Sequence, residues 1–333
     1  MRSPVRAHPR GFFLLGARLK EDTYDLVDPE LVAVLLNLPQ LEFSEDTLIE
    51  ARKRPWLESL PAPFPALASR FIPGSPGSPD IRLIIADPNP GASGRPVYIH
   101  MHGGGYVTTS TVIYPIIQRI AYDCQCLVVS VDYRLAPETS YPGALDDNYA
   151  ALQWVHDNAE MLGVDRKRIA VGGESAGGGH AAALALRARD RKEIPVIFQL
   201  LIYPMLDDRT GSTRRAPRCM GRYVWNEASN RFGWSAHLGV RAGSAEVLPG
   251  SVPARVENLS GLPPAWIGTG SIDLFAEEDI TYAKRLMAAG VPTELAVFQG
   301  GYHGFDVIAP SATVSRRFTE GWQSALRRAF ATV

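Results

Sequence analysis

Cysteine is scarce, with three in 333 residues: Cys124, Cys126 and Cys219. That number cannot build a disulfide framework. Cys124 and Cys126 stand as Cys-x-Cys at the start of an apolar run, with no further ligands at metal-binding spacing nearby. They read as small apolar residues in or beside a strand. Excess charge is also missing. The 34 basic side chains face 35 acidic ones, a net of −1, which gives neither nucleic acid nor an anionic membrane surface a reason to bind. The basic pairs Arg214-Arg215 and Arg327-Arg328 are short and read as solvated faces. No run approaches the ~18–20 apolar residues of a bilayer span. Phe12-Phe13-Leu14-Leu15 is shorter than the roughly 7–15 residues of a signal-peptide core, and charges follow at once. A cytoplasmic protein is expected.

What is present is the composition of a globular protein, 46% hydrophobic and 21% charged. The first 70 residues read as a helical accessory with no strand before residue 80. Leu31, Val34, Leu35 and Leu38 fall at helical spacing before Pro39. Proline-rich turns follow at Leu60–Pro65 and Pro73–Pro79. Beyond residue 80, short apolar runs alternate with helical stretches. The strand candidates are Ile81–Ala86, Val97–Met101, Leu127–Val131, Ile169–Val171, Val196–Tyr203, Ala265–Gly268 and Leu295–Phe298. Between them, Leu152, Val155, Ala159 and Leu162 form one helical stripe. Ile280, Ala283 and Met287 form another, with Glu277, Glu278 and Asp279 in its first turn. Phe318, Trp322, Ala325, Leu326 and Ala329 line a final helix. This alternation predicts an α/β fold with a mostly parallel sheet covered on both faces. One excursion, Asp207 to Pro264, breaks it. Its expected helix runs from Arg222 to Leu238 and is crowded by Tyr223, Trp225, Phe232 and Trp234.

Gly173-Glu174-Ser175-Ala176-Gly177 lies between an apolar strand and an Ala/Leu-rich helix from about His180 to Arg187. A nucleophilic serine on a sharp strand-to-helix turn needs that context. His102-Gly103-Gly104-Gly105 follows another strand. Glycines there let backbone N–H groups approach a carbonyl oxygen that gains negative charge. His102 itself reads as structural. A serine hydroxyl needs a base, and the base an orienting acid. Of seven histidines, His303 alone sits in a loop just after the last expected strand. Asp273, three residues past Gly270, is the preferred acid, although it could also be a helix N-cap. Asp279 and Asp306 are weaker rivals. The chain order Ser175, Asp273, His303 is that of an α/β hydrolase.

Together with Asp132-Tyr133-Arg134-Leu135-Ala136-Pro137-Glu138, these motifs resemble the hormone-sensitive lipase family of esterases, over about residues 80 to 330. The resemblance implies an α/β-hydrolase fold with a mostly parallel central sheet, flanking helices and a helical cap. It divides the chain into a cap segment (1–70), a first catalytic part (71–206), a cap insertion (207–262) and a second catalytic part (263–333). It implies hydrolysis of small-molecule carboxylic esters with short to medium acyl chains, without cofactor or metal. Gly104, Gly105 and Ala176 would supply oxyanion N–H groups, and the segment from Asp132 to Glu138 would fix loops. Trp225, Phe232 and Trp234 could line an acyl or alcohol pocket or simply pack within the lid. A homo-oligomer is compatible with all of this. Amides, lactones or carbamates would suit the same triad, and a small-molecule receptor would suit the same scaffold. Glu174 departs from the Asp or Thr expected before the serine, which leaves acyl preference open.

Overall fold

Short β-branched runs become buried strands here because helices cover both faces of the sheet that they form. The computed structural model describes residues 24–38, 42–53, 58–109 and 113–332. His8, the run from Phe12 to Leu15, and Pro39 lie outside the described residues. The strands are β1 (Leu67–Ile72), β2 (Ile81–Ala86), β3 (Arg95–Met101), β4 (Leu127–Asp132), β5 (Val164–Glu174), β6 (Phe198–Ile202), β7 (Ala265–Gly270) and β8 (Thr293–Phe298). They form one sheet in the order β1-β2-β4-β3-β5-β6-β7-β8. β2 is antiparallel to both of its neighbours, and the strands from β4 to β8 run parallel.

The helices are α1 (Pro29–Leu35), α2 (Glu45–Arg52), α3 (Ile113–Cys124), α4 (Gly143–Asp157), α5 (Ala159–Leu162), α6 (Ala176–Arg191), α7 (Glu227–Leu238), α8 (Ala276–Ala288), α9 (Phe305–Ile308) and α10 (Thr313–Ala331). Side chains alternate between the two faces of a strand. Val97, Ile99 and Met101 of β3 therefore join Leu152 of α4, Leu184 of α6 and Leu286 of α8 in one core. Tyr98 joins Ile117 of α3 and Phe318 and Trp322 of α10 in the other. Among the described residues no helix is long and apolar enough to cross a membrane.

Four expectations need correction. A strand does precede residue 80. β1 is an edge strand whose middle residues are exposed, so its sequence carries no buried run. The stripe on α8 is out of phase, since Ile280 and Met287 are exposed while Tyr282, Ala283 and Leu286 are buried. The cause lies in Glu278 and Asp279, which point inward instead of answering the helix dipole. Glu278 Oε1 accepts the N–H groups of Leu206 (2.7 Å) and Asp207 (3.1 Å). Burial pushes the carboxyl groups of both Glu278 and Asp279 well up. The stripe from Leu152 to Leu162 is divided between α4 and α5 at Asn158. Finally, α7 starts at Glu227 and not near Arg222, because the Asn226 side chain accepts from Ser229 N (2.9 Å) and caps it.

Candidate active site

The parallel strands deliver their loops to one rim. Met101 of β3 pairs with Gly173 of β5, Glu174 with Ile202 of β6, Ile202 with Gly268 of β7, and Gly270 with Phe298 of β8. Ser175, Asp273, His303 and the loop from His102 to Gly105 each follow the C-terminal end of one of these strands within a few residues. That is where open α/β sheets put their sites.

Ser175 has φ 56° and ψ −120°, a strained conformation for a residue with a Cβ. Its backbone is pinned on both sides. Its N–H donates to Ile202 O (2.9 Å), and its carbonyl accepts from Gly179 N (3.1 Å) and Met205 N (2.9 Å). Gly177 admits this close turn, since a Cβ there would strike the Met101 carbonyl. His303 Nε2 lies 2.9 Å from Ser175 Oγ. Its Nδ1 lies 2.8 Å from Asp273 Oδ2. The Asp273 carboxylate can only accept from Nδ1–H, which leaves Nε2 free to accept from the serine hydroxyl. Asp273 Oδ1 also accepts from Phe275 N (2.9 Å), so the carboxylate cannot rotate freely. All three side chains are buried. Phe275 and Tyr203 meet the imidazole edge-on, with centroids at 5.1 and 4.9 Å.

The loop after β3 is held from behind. The Tyr133 hydroxyl donates to His102 O (2.6 Å), and its ring stacks on the His102 imidazole at 4.2 Å. Arg134 holds Asp147 of α4 through its backbone N–H (3.0 Å) and its guanidinium, the shortest guanidinium bonds being 2.9 and 2.7 Å. From α2, Arg52 donates to Val107 O (2.8 Å), Ala136 O (2.7 Å) and the Glu138 carboxylate. Gly105, at φ 60°, lies so close to the Trp225 ring that a Cβ would collide with it. Gly103, Gly104 and Gly105 border the same cavity as Ser175 and His303. Ala176 is the first residue of α6 and is buried beside the serine. N–H groups of a first helical turn have no partner within the helix.

The cavity holds about 690 Å³. Its apolar walls include Leu35, Leu38, Phe43, Tyr223, Trp225 and Ile308. Of the three aromatic residues proposed from sequence, only Trp225 lines it. Phe232 packs against Leu48, Val107 and Ala136 instead. Trp234 is fully buried against Tyr106 and His237. Asp279 is buried in α8, and Asp306 takes a hydrogen bond from the Tyr203 hydroxyl (3.0 Å), so neither reaches His303. Nothing in the sequence pointed to Arg52 or Tyr203, whose partners are distant along the chain.

A histidine cluster lies behind the site. The rings of Tyr106 and His237 stack at 4.2 Å, and His180 meets Tyr106 and Tyr133 edge-on. Burial pushes His102 and His237 down to about 4, and pushes His180 well down too. In the unfolded chain an imidazole protonates near 6.5; in the folded one His102 and His237 stay neutral until about 4. Between those values the unfolded chain binds more protons, so stability is present above 6.5 and is lost as pH falls towards 4. The loss is on the order of 3 kcal/mol for each of His102 and His237. The melting temperature is expected to fall steadily below about pH 6.5. A flat profile down to about pH 4.5 would exclude this origin of acid sensitivity.

Fold and site together define a hydrolase of the serine-nucleophile kind on a parallel α/β scaffold. The chain belongs to the α/β-hydrolase fold family, whose pattern matches residues 98–307. It is 35% identical to the carboxylesterase NlhH of Mycobacterium tuberculosis over 312 residues, 91% of this chain and 96% of that one. It is 34% identical to the esterase LipI of the same organism, covering 88% and 92% of the two chains. Among solved structures, a bacterial heroin esterase superposes with a TM-score of 0.83 at 36% identity, over 92% of this chain and 99% of that one. The protein is an enzyme of the carboxylic ester hydrolase class.

Proposed function

We propose that Ser175, His303 and Asp273 hydrolyse esters of short to medium acyl chain through an acyl-enzyme. The observation that carries this is the unbroken hydrogen-bonded chain from Ser175 Oγ through His303 to Asp273. Ser175 Oγ attacks the ester carbonyl while Nε2 of His303 takes its proton, and Asp273 holds the resulting imidazolium. The carbonyl oxygen, now negative, sits against N–H groups of Gly104, Gly105 and Ala176. Collapse breaks the C–O bond, and His303 returns the proton to the leaving alcohol. Water repeats the sequence on the acyl-enzyme, releasing the acid and restoring Ser175.

The size and apolar lining of the cavity support the acyl-length reading. Residues 24–38, 42–53 and the excursion between β6 and β7 supply much of the wall, which supports their role as a cap over the site. A cytoplasmic location belongs to the same reading, supported by three unpaired cysteines. The test is covalent titration. A serine-directed aryl phosphonate is expected to block p-nitrophenyl butyrate hydrolysis at one equivalent per chain, with peptide mapping placing the adduct on Ser175. An inert, unlabelled protein would instead favour a receptor on this scaffold.

A further inference from the structure

Glu174, the residue before the nucleophile, is bound in a second buried chain that the reaction above does not use. Its carboxylate oxygens lie 3.0 and 3.2 Å from His100 Nε2. His100 Nδ1 lies 2.8 Å from Ser130 Oγ. His100 and Ser130 are fully buried. Glu174 lines the cavity beside Ser175, and its side chain keeps 10% of its exposure.

Proton counting fixes the ring tautomer in this chain. Among the described residues, the Ser130 side chain has no hydrogen-bonding partner besides His100. If His100 Nδ1 carried a proton, the buried Ser130 hydroxyl would accept it and have nowhere to donate its own. Leaving a buried donor unpaired is costly. With Ser130 donating to Nδ1, Nε2 must carry the ring proton and donate it to Glu174. The imidazole is then neutral, and both Glu174 oxygens face its single N–H, the geometry of an accepting carboxylate, which gives the group one net negative charge at the cavity wall. The other charged side chains lining the cavity, Glu42 and Arg222, are exposed and opposite in sign, and water screens both.

We propose that Glu174 is a specificity-determining residue: its fixed carboxylate favours esters carrying a cationic group near the scissile carbonyl and disfavours esters carrying an anionic one. This deepens the ester-hydrolase reading and rests on it. Hydrolysis of neutral p-nitrophenyl butyrate by the unaltered enzyme tests that reading separately.

The experiment compares kcat/KM for butyrylthiocholine with that for its uncharged carbon isostere. In Glu174→Gln the ratio of the two is expected to fall roughly ten-fold, chiefly through KM, as removal of one partly screened charge requires. A purely structural role would lower both values together and leave the ratio unchanged, which would overturn the proposal. Glu174→Ser provides a second neutral variant should the first not fold. The unaltered enzyme gives an independent reading with the mono-p-nitrophenyl ester of glutaric acid. That anionic ester is expected to be at least about ten-fold poorer than p-nitrophenyl butyrate. Equal rates would overturn the proposal without any variant.

Discussion

Ser175→Ala is expected to lower kcat on p-nitrophenyl butyrate by on the order of 10⁴–10⁶-fold while leaving the melting temperature unchanged. The two halves of this expectation come from different parts of the residue. The elbow is held by the Ser175 backbone, through Ile202 O, Gly179 N and Met205 N, and an alanine keeps all three bonds. Alanine also has the same Cβ, so the strain at φ 56° is unaltered. Only Oγ is lost, and with it the nucleophile that attacks the substrate carbonyl carbon. The backbone donors remain, so turnover by water alone can exceed the uncatalysed rate. Near-normal turnover by this variant would remove Ser175 from the mechanism.

The convergence of Ser175, His303 and Asp273 was legible in the sequence because these residues lie in local motifs at strand ends. A Gly-x-Ser-x-Gly turn declares its own geometry, and a histidine just past the last strand needs only a parallel sheet to reach it. The sheet was legible for a related reason: strands buried on both faces are mostly apolar, as Val97 to Met101 illustrate with His100 the exception. β1 has no such run, because an edge strand with exposed middle residues resembles a loop in composition. The phase of α8 was hidden by Glu278 and Asp279. Carboxylates in a first turn suggest solvent, and only the distant N–H groups of Leu206 and Asp207 explain an inward Glu278. The cavity wall was least legible. Trp225 and Trp234 are equally apolar and nine residues apart in chain numbering, yet one meets the cavity and the other is sealed against Tyr106 and His237. That choice is made by packing between segments far apart in sequence. Glu174 stood out as an unexpected residue type, but its partners His100 and Ser130 come from β3 and β4 and could be paired with it only in three dimensions.

Asp273→Asn is expected to cost about 10⁴-fold in kcat although the substitution changes neither size nor shape. The reason lies in which atom faces which. Phe275 N–H donates to Oδ1, so an asparagine placed here turns its carbonyl oxygen to that N–H and its NH₂ group to His303. The NH₂ can only donate, so Nδ1 of His303 must become the acceptor and the ring proton moves to Nε2. Nε2–H then faces Ser175 Oγ and cannot take its proton. The imidazolium also loses its counter-charge. The comparison variant is Asp306→Asn. Burial pushes the Asp306 carboxyl up to about 6, but its hydrogen bond is to Tyr203 and not to His303. Its loss should therefore cost far less than that of Asp273. Steady-state kcat for both variants, beside their melting temperatures, decides between the two acids. A loss at Asp306 equal to that at Asp273, with both proteins folded, would show that orientation of His303 is shared and that the single-acid assignment is wrong.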